Sequence, residues 1–100
     1  MIKVSWTKQA IQDLYQIREY YLKVSPKYAD QLTDKFFDKV MLLENFPMHG
    51  RKVPEFNQEN IRELVYKNFR LIYKLVNEKR MDIIAIHNSF TPLSDESILD

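Results

Sequence analysis

The first residues of the chain alternate between apolar and polar side chains. Ile2, Val4 and Trp6 are apolar, whereas Lys3 and Ser5 between them are polar. A period of two places the apolar side chains on one side of an extended backbone. The pattern therefore predicts a half-buried β-strand at the start of the chain.

Two stretches of helical periodicity follow. Thr7 is a candidate N-cap for the first. The apolar positions of the first stretch recur every three or four residues: Ala10, Leu14, Ile17, Tyr21 and Val24. The stripe of the second is Ala29, Leu32, Phe36, Val40 and Leu43. Ser25-Pro26 separates the two, because Ser suits an N-cap and Pro the first helical turn, and Pro47 ends the second helix. With almost no loop between them, the helices should pack as an antiparallel hairpin.

The segment 48–60, MHGRKVPEFNQEN, has no regular pattern, and we expect it to be irregular and exposed. Gly50, the only glycine, is placed at a turn, and Pro54 fixes an extended backbone.

Strand patterns begin at Ile61. IRELVY and FRLIYKLV are two strands joined by a tight turn at Lys67-Asn68, since Asn tolerates positive φ. After NEKR, the nearly apolar MDIIAIH predicts a central strand that is covered on both faces. In FRLIYKLV, the alternation places the row from Arg70 to Val76 on the face opposite the row from Phe69 to Leu75.

These elements predict an α+β fold of one domain over residues 1–100, in the order β-α-α-β-β-β. An N-terminal strand and an antiparallel helical hairpin precede a three-stranded antiparallel meander. The hairpin covers one sheet face, and the face that carries Arg70 is left partly open for a partner. We expect residues 89–100 to form a polar, acidic tail, either loose or with a short turn of helix, with one apolar pair at Ile98-Leu99.

Composition narrows the classes of function. No cysteine is present, which excludes disulfides and thiolate chemistry, and no apolar run approaches the roughly 20 residues of a membrane span. The start of the chain has no apolar signal core, so a cytoplasmic location is expected. Residues 49–80 hold eight basic and four acidic residues, which favours a phosphate-rich or acidic partner over this part of the chain. An ordinary solvated surface explains the charge equally well.

Few residues remain that can carry chemistry. No His/Asp cluster suits a metal, one glycine cannot form a phosphate loop, and no GxSxG occurs. The remaining candidates are Glu55, Arg70 and His87. Such a set could cleave RNA without a metal: a carboxylate or imidazole would take the proton of the 2′-hydroxyl, and an arginine would stabilise the charge that develops on the phosphate. Basic residues surround them: Arg51, Lys52, Arg62 and Lys74. The alternative is structural, with Arg70 paired to Glu63 and His87 hydrogen-bonded at a strand end.

The ordered set of these motifs resembles the RelE/ParE superfamily, the toxins of type II toxin–antitoxin modules. The resemblance covers residues 2–90 and rests on Trp6, A..DL..I..YY, a second helix ending in FP, HGRKVPEF, IREL, FRLIYKL and IIAIH. It implies a growth inhibitor that a cognate antitoxin neutralises by wrapping it with a segment that folds on binding. RelE-like members are similar to ribosome-dependent mRNA nucleases, and ParE-like members to poisons of DNA gyrase. Neither branch implies a cofactor or a metal.

Within the family, Arg70 matches an arginine that both branches carry. The positions of two RelE lysines hold Ile61 and Glu63, the second RelE arginine is missing from 88–90, and no tyrosine follows Tyr73. Together with the long hairpin, these differences favour the ParE-like branch and gyrase. The YoeB-like nucleases use a glutamate, an arginine and a histidine, so Glu55, Arg70 and His87 keep an mRNA nuclease as the alternative.

The resemblance also implies contacts with the target or the antitoxin. The candidates are Arg51, Lys52, Arg62, Arg70 and Lys74. A third possibility is a family member that binds its antitoxin and poisons nothing.

Overall fold

The computed structural model describes residues 2–89, which form two helices and a five-stranded mixed sheet. The elements in chain order are β1 (Lys3–Trp6), α1 (Lys8–Leu22), α2 (Pro26–Asn45), β2 (Arg51–Lys52), β3 (Ile61–Tyr66), β4 (Phe69–Asn77) and β5 (Arg80–Asn88). The predicted α+β order is confirmed, with one short strand added at β2. Apart from Ser89, the predicted acidic tail lies outside the described residues.

The strand order in the sheet is β1-β5-β4-β3-β2. Strands β2 to β5 are paired antiparallel, whereas β1 runs parallel to β5. The predicted central position of MDIIAIH is confirmed, because β5 lies between β1 and β4. Its nearly continuous apolar sequence follows from burial on both faces.

Side-chain caps fix where both helices begin. The Thr7 hydroxyl accepts a hydrogen bond from the Ala10 amide at 3.1 Å and donates one to the Ile84 carbonyl, which ties α1 to β5. The Ser25 hydroxyl accepts from the Tyr28 amide at 3.2 Å, and Pro26 occupies the first turn of α2. The predicted caps and the helix boundary at Ser25-Pro26 are therefore confirmed.

The main core lies between the helical hairpin and the sheet. The five residues of the predicted α2 stripe are all buried, and Phe36 packs edge-to-face on Phe69 at 5.6 Å between ring centroids. In α1 the prediction was wrong at one position: the helix ends at Leu22, and Val24 is exposed. Phe69, Leu71 and Tyr73 supply the sheet side of the core, as the alternation in β4 predicts.

A second, smaller core occupies the other sheet face. Its buried residues are Val53, Ile61, Ile72, Ile84 and Ala85, and Phe56 packs against them. A bulge sets this arrangement, because Ile72 pairs with Ala85 while Tyr73 pairs with Ile83, leaving one extra residue in β5. The extra residue lets two consecutive positions of β5 face the small core. The loop 53–60 therefore covers part of a face that the sequence analysis left open.

Two local predictions were wrong in detail. The segment 48–60 is neither wholly irregular nor wholly exposed, since Arg51–Lys52 pairs with β3 and Val53 is fully buried. In the β3–β4 turn, the positive φ of 54° falls on Lys67 and not on Asn68. None of the helices in the described part of the chain is both long and apolar enough to span a bilayer.

Candidate functional site

The sheet face opposite the helices brings the three predicted catalytic residues together. Arg70 in β4 lies directly across from His87 in β5, so both side chains share this face. Glu63 in β3 also lies on this face, opposite Ile72 and Arg51. Glu55 arrives from the loop that crosses the small core. The expectation that Arg70 and His87 meet on one face is confirmed.

Arg70 is held by two carboxylates from opposite sides. Its Nη1 and Nη2 atoms donate to the two carboxylate oxygens of Glu55 at 2.6 and 2.7 Å, a bidentate pair. Its Nε donates to Glu63 at 2.5 Å. The Arg70 side chain is only 11% exposed. The guanidinium is therefore neutralised and largely enclosed within its own sheet.

Glu63 is the buried centre of this network. Its side chain is fully buried, and its second oxygen accepts a hydrogen bond from the Nε of Arg51 at 2.6 Å. A buried carboxylate is tolerated only when it is paired and hydrogen-bonded, and two arginines meet that requirement here. We call these four residues, Arg51, Glu55, Glu63 and Arg70, the ionic network.

The network shifts the titration of Glu55 and Arg70. The hydrogen bonds from Arg70 lower the pKa of Glu55 from 4.5 to about 2. The same pairing with Glu55, and then with Glu63, raises the pKa of Arg70 further above its ordinary value. A carboxylate with so low a pKa is a poor general base near neutral pH, because general-base catalysis is most efficient when the pKa of the base lies near the working pH.

Two of the other predicted contact residues, Lys52 and Arg62, lie outside this site. By register, Lys52 and Arg62 lie with Tyr73 on the helix side of the sheet, at its β2 edge. Both bind Glu59, at 3.4 Å and 3.1 Å, and Arg62 also donates to the Gly50 carbonyl. Lys74 projects from the same face as Arg70 and is exposed. The five basic candidates therefore divide between two surfaces.

Sequence reasoning missed what surrounds Gly50. The Gly50 amide donates to the Tyr73 hydroxyl at 3.0 Å, and that hydroxyl donates to the Pro47 carbonyl at 2.7 Å. Burial raises the pKa of Tyr73. A Cβ on residue 50 would lie 2.5 Å from this hydroxyl and 2.6 Å from the Glu63 carbonyl, so glycine is needed for close approach. In the sequence, the only indication of this close approach was that Gly50 is the single glycine of the chain.

The site contains no metal-binding arrangement. Within residues 2–89, no three His, Asp or Glu side chains are grouped closely enough to hold a metal ion. The acids near Arg70 are instead engaged by arginines. What the arrangement does is fasten the loop 53–60 and the short strand β2 onto the sheet.

Comparison with known proteins places the chain in a family. The model of the "ParE toxin of type II toxin-antitoxin system, parDE" family matches residues 4–89. A solved structure described as the chromosomal ParDE toxin–antitoxin system from P. aeruginosa is similar in fold, with a TM-score of 0.72 and 23% sequence identity. The match covers 88% of this chain and 96% of the other. A search of curated proteins found no match. Since the family model spans most of its length, this chain belongs to the ParE toxin family of type II toxin–antitoxin systems.

Proposed function

We propose that this chain inhibits growth by poisoning DNA gyrase and that a separate, cognate antitoxin neutralises it. Membership in the ParE family supports the toxin role and the antitoxin partner, and the solved relative is described as a toxin–antitoxin system. The choice of gyrase over mRNA depends on the state of Arg70.

The observation that carries the proposal is the double pairing of Arg70. A nuclease needs an arginine whose N–H groups can reach the phosphate as charge develops. Here Glu55 holds both terminal nitrogens and Glu63 holds Nε. To bind Arg70, a phosphate would have to displace the bidentate carboxylate of Glu55. The loop 53–60 would then lose its attachment to the sheet. Arg70 is thus a structural residue of the sheet, which fits a toxin that acts by binding.

An mRNA nuclease is the second candidate, and one observation favours it. Glu55, Arg70 and His87 are gathered on one sheet face, as a YoeB-like site requires. If substrate binding opened the Glu55–Arg70 pair, a base and a phosphate ligand would be released together. Direct assays of both reactions separate the two candidates.

The test measures gyrase and ribosome reactions side by side with the purified chain. We expect it to inhibit the supercoiling of relaxed plasmid by gyrase and to accumulate cleaved plasmid. We expect no cleavage of mRNA on programmed ribosomes. In cells induced to express the chain alone, thymidine incorporation should fall before amino-acid incorporation.

Two results would contradict the gyrase proposal. One is rapid mRNA cleavage that Glu55→Gln and His87→Gln abolish, while Glu78→Gln, an exposed acid in the β4–β5 turn, leaves it intact. The other is normal growth of cells that contain the folded chain without antitoxin. That outcome would make the chain an antitoxin-binding module that poisons nothing.

A further inference from the structure

Four of the six tyrosines gather at one end of the molecule, where the α1–α2 and β3–β4 turns meet. Tyr20 contacts Tyr21 edge-on at 5.0 Å between ring centroids, and Tyr21 contacts Tyr28 at 5.1 Å. Tyr66 lies nearby at the end of β3. The Nζ of Lys67 lies 4.9 Å from the Tyr28 ring centre and 5.7 Å from that of Tyr66. Tyr20 is exposed, the other three rings are half-buried, and the Lys67 ammonium connects the rings of Tyr28 and Tyr66.

Lysines from α2 extend this surface. The Nζ of Lys39 lies 5.6 Å from the ring centre of Tyr66, and Lys35 lines the groove between Tyr28 and Tyr66. At 3.6 residues per turn, Tyr28, Lys35 and Lys39 lie within about 40° of one another around the helix axis. Asp34 also lines the groove, so the local net charge is positive although one carboxylate is present. We call this surface the tyrosine–lysine belt; its members are Tyr20, Tyr21, Tyr28, Tyr66, Lys35, Lys39 and Lys67.

The backbone at Lys67 adopts a conformation that few side chains favour. Its φ of 54° lies in the left-handed region, where Gly and Asn are favoured and most side chains are disfavoured. Asn68, which would suit this conformation, is one position away. The Lys67 ammonium donates to the Tyr28 hydroxyl at 3.2 Å, and this bond raises the pKa of Lys67. The Lys67 ammonium is thus held against Tyr28 by a hydrogen bond to its hydroxyl and by contact with its ring.

We propose that the tyrosine–lysine belt binds a single strand of nucleic acid. The lysines would contact successive phosphates, and Tyr20, which is 64% exposed, would offer a ring for a base to stack on. An exposed ring beside lysines suits nucleic acid, because a base can stack on the ring while the phosphates contact the ammonium groups. An acidic peptide is the alternative that the competition with polyglutamate tests. The belt lies around the β3–β4 turn on the helix side of the sheet, whereas Arg70 of the ionic network lies on the opposite face of the sheet. This inference goes beyond the gyrase proposal and is tested without gyrase.

The test is fluorescence anisotropy of a labelled oligothymidylate of about 12 nucleotides, a length within the site range of strand-binding proteins. Three phosphate contacts predict that log affinity falls with log salt at a slope of about −2. Lys67→Asn should reduce that slope by about 0.7 and weaken binding severalfold, while its backbone fits the turn better. Tyr20→Ala should weaken binding about fivefold or more without changing the slope. Lys67→Arg should retain the slope.

Lys79→Gln is the matched control, since it removes one exposed lysine from the β4–β5 turn, at the opposite end of the sheet from Lys67. It should leave both affinity and slope nearly unchanged. Thermal melts of every variant check that the fold is intact. Three results would overturn the proposal: no binding at low salt, an equal loss in Lys79→Gln and Lys67→Asn, or polyglutamate competing as well as unlabelled oligothymidylate.

Discussion

The two faces of the sheet are built by different physical means. The face toward the helices is closed by large apolar side chains, and Phe36, Leu43 and Tyr73 are fully buried there. The opposite face has a small apolar cluster under the loop 53–60, and charged groups fasten that loop at Arg70. The first arrangement depends on the volume of its apolar side chains and should be insensitive to acid. The second depends on paired charges, so its stability should respond to single carboxylates and to acid.

The largest effect should come from the helix side. Phe36→Ala removes a fully buried ring that packs on Phe69 and Tyr66, and we expect a loss of about 3–5 kcal/mol in the free energy of unfolding. Urea denaturation measures this. Phe37→Ala is the matched control, because Phe37 is 45% exposed and should cost much less. Equal losses in the two variants would mean that the helix packing has been assigned wrongly.

The second-largest loss of stability should come from a substitution at Glu63, the centre of the ionic network. Glu63→Gln leaves Arg51 and Arg70 without their buried negative partner, and we expect a loss of about 3 kcal/mol in unfolding free energy. Glu59→Gln is the control, since the Glu59 side chain is 78% exposed and its ion pairs with Lys52 and Arg62 should contribute little to stability. A Glu63→Gln variant as stable as the wild type would show that the small core alone holds this face together.

The third-largest loss of stability should come from the close contact between Gly50 and Tyr73. Gly50→Ala places a methyl group against the Tyr73 hydroxyl and the Glu63 carbonyl, which should destabilise the fold by about 1–3 kcal/mol. Adding Tyr73→Phe removes the hydroxyl but not the carbonyl contact, so the double variant should recover only part of the loss. A double-mutant cycle in urea measures the coupling. Strict additivity would argue against direct contact between residues 50 and 73.

The sequence predicted the helix side far better than the other face. The α2 stripe and the cap at Ser25-Pro26 depend on local periodicity and turn chemistry, which a single sequence contains. Val24 fails because the periodicity continues past the residue where the helix ends, and only the turn at Ser25-Pro26 decides that end. Alternation also placed Arg70 and His87 on one face correctly.

The partners within the site could not be predicted in the same way. Whether Glu55 pairs with Arg70 depends on the path of the loop 53–60, which is set by burial of Val53 and Phe56 on the small core. No local pattern encodes that path. Glu63 was recognised only as a possible partner of Arg70, and its full burial and its bond to Arg51 emerge from the tertiary structure. The bulge in β5 opposite Ile72 and Tyr73 determines which residues of β5 reach this core. The sequence MDIIAIH contains no clear signal for it.

The smallest expected effect is the most specific to the charged face. Because Arg70 holds the pKa of Glu55 at about 2 in the folded chain, against 4.5 as the ordinary value, the pair stabilises the fold fully above about pH 4.5. That contribution is lost as the pH falls through the interval from 4.5 to 2. Glu55 is 40% exposed, so solvent screening limits the effect to about 1 kcal/mol at most. Urea unfolding of the wild type and Glu55→Gln, from pH 6 to pH 2.5, should show a difference that shrinks toward low pH. Gln cannot titrate, so a difference that stays constant with pH would mean that the Glu55–Arg70 pair does not fasten the loop.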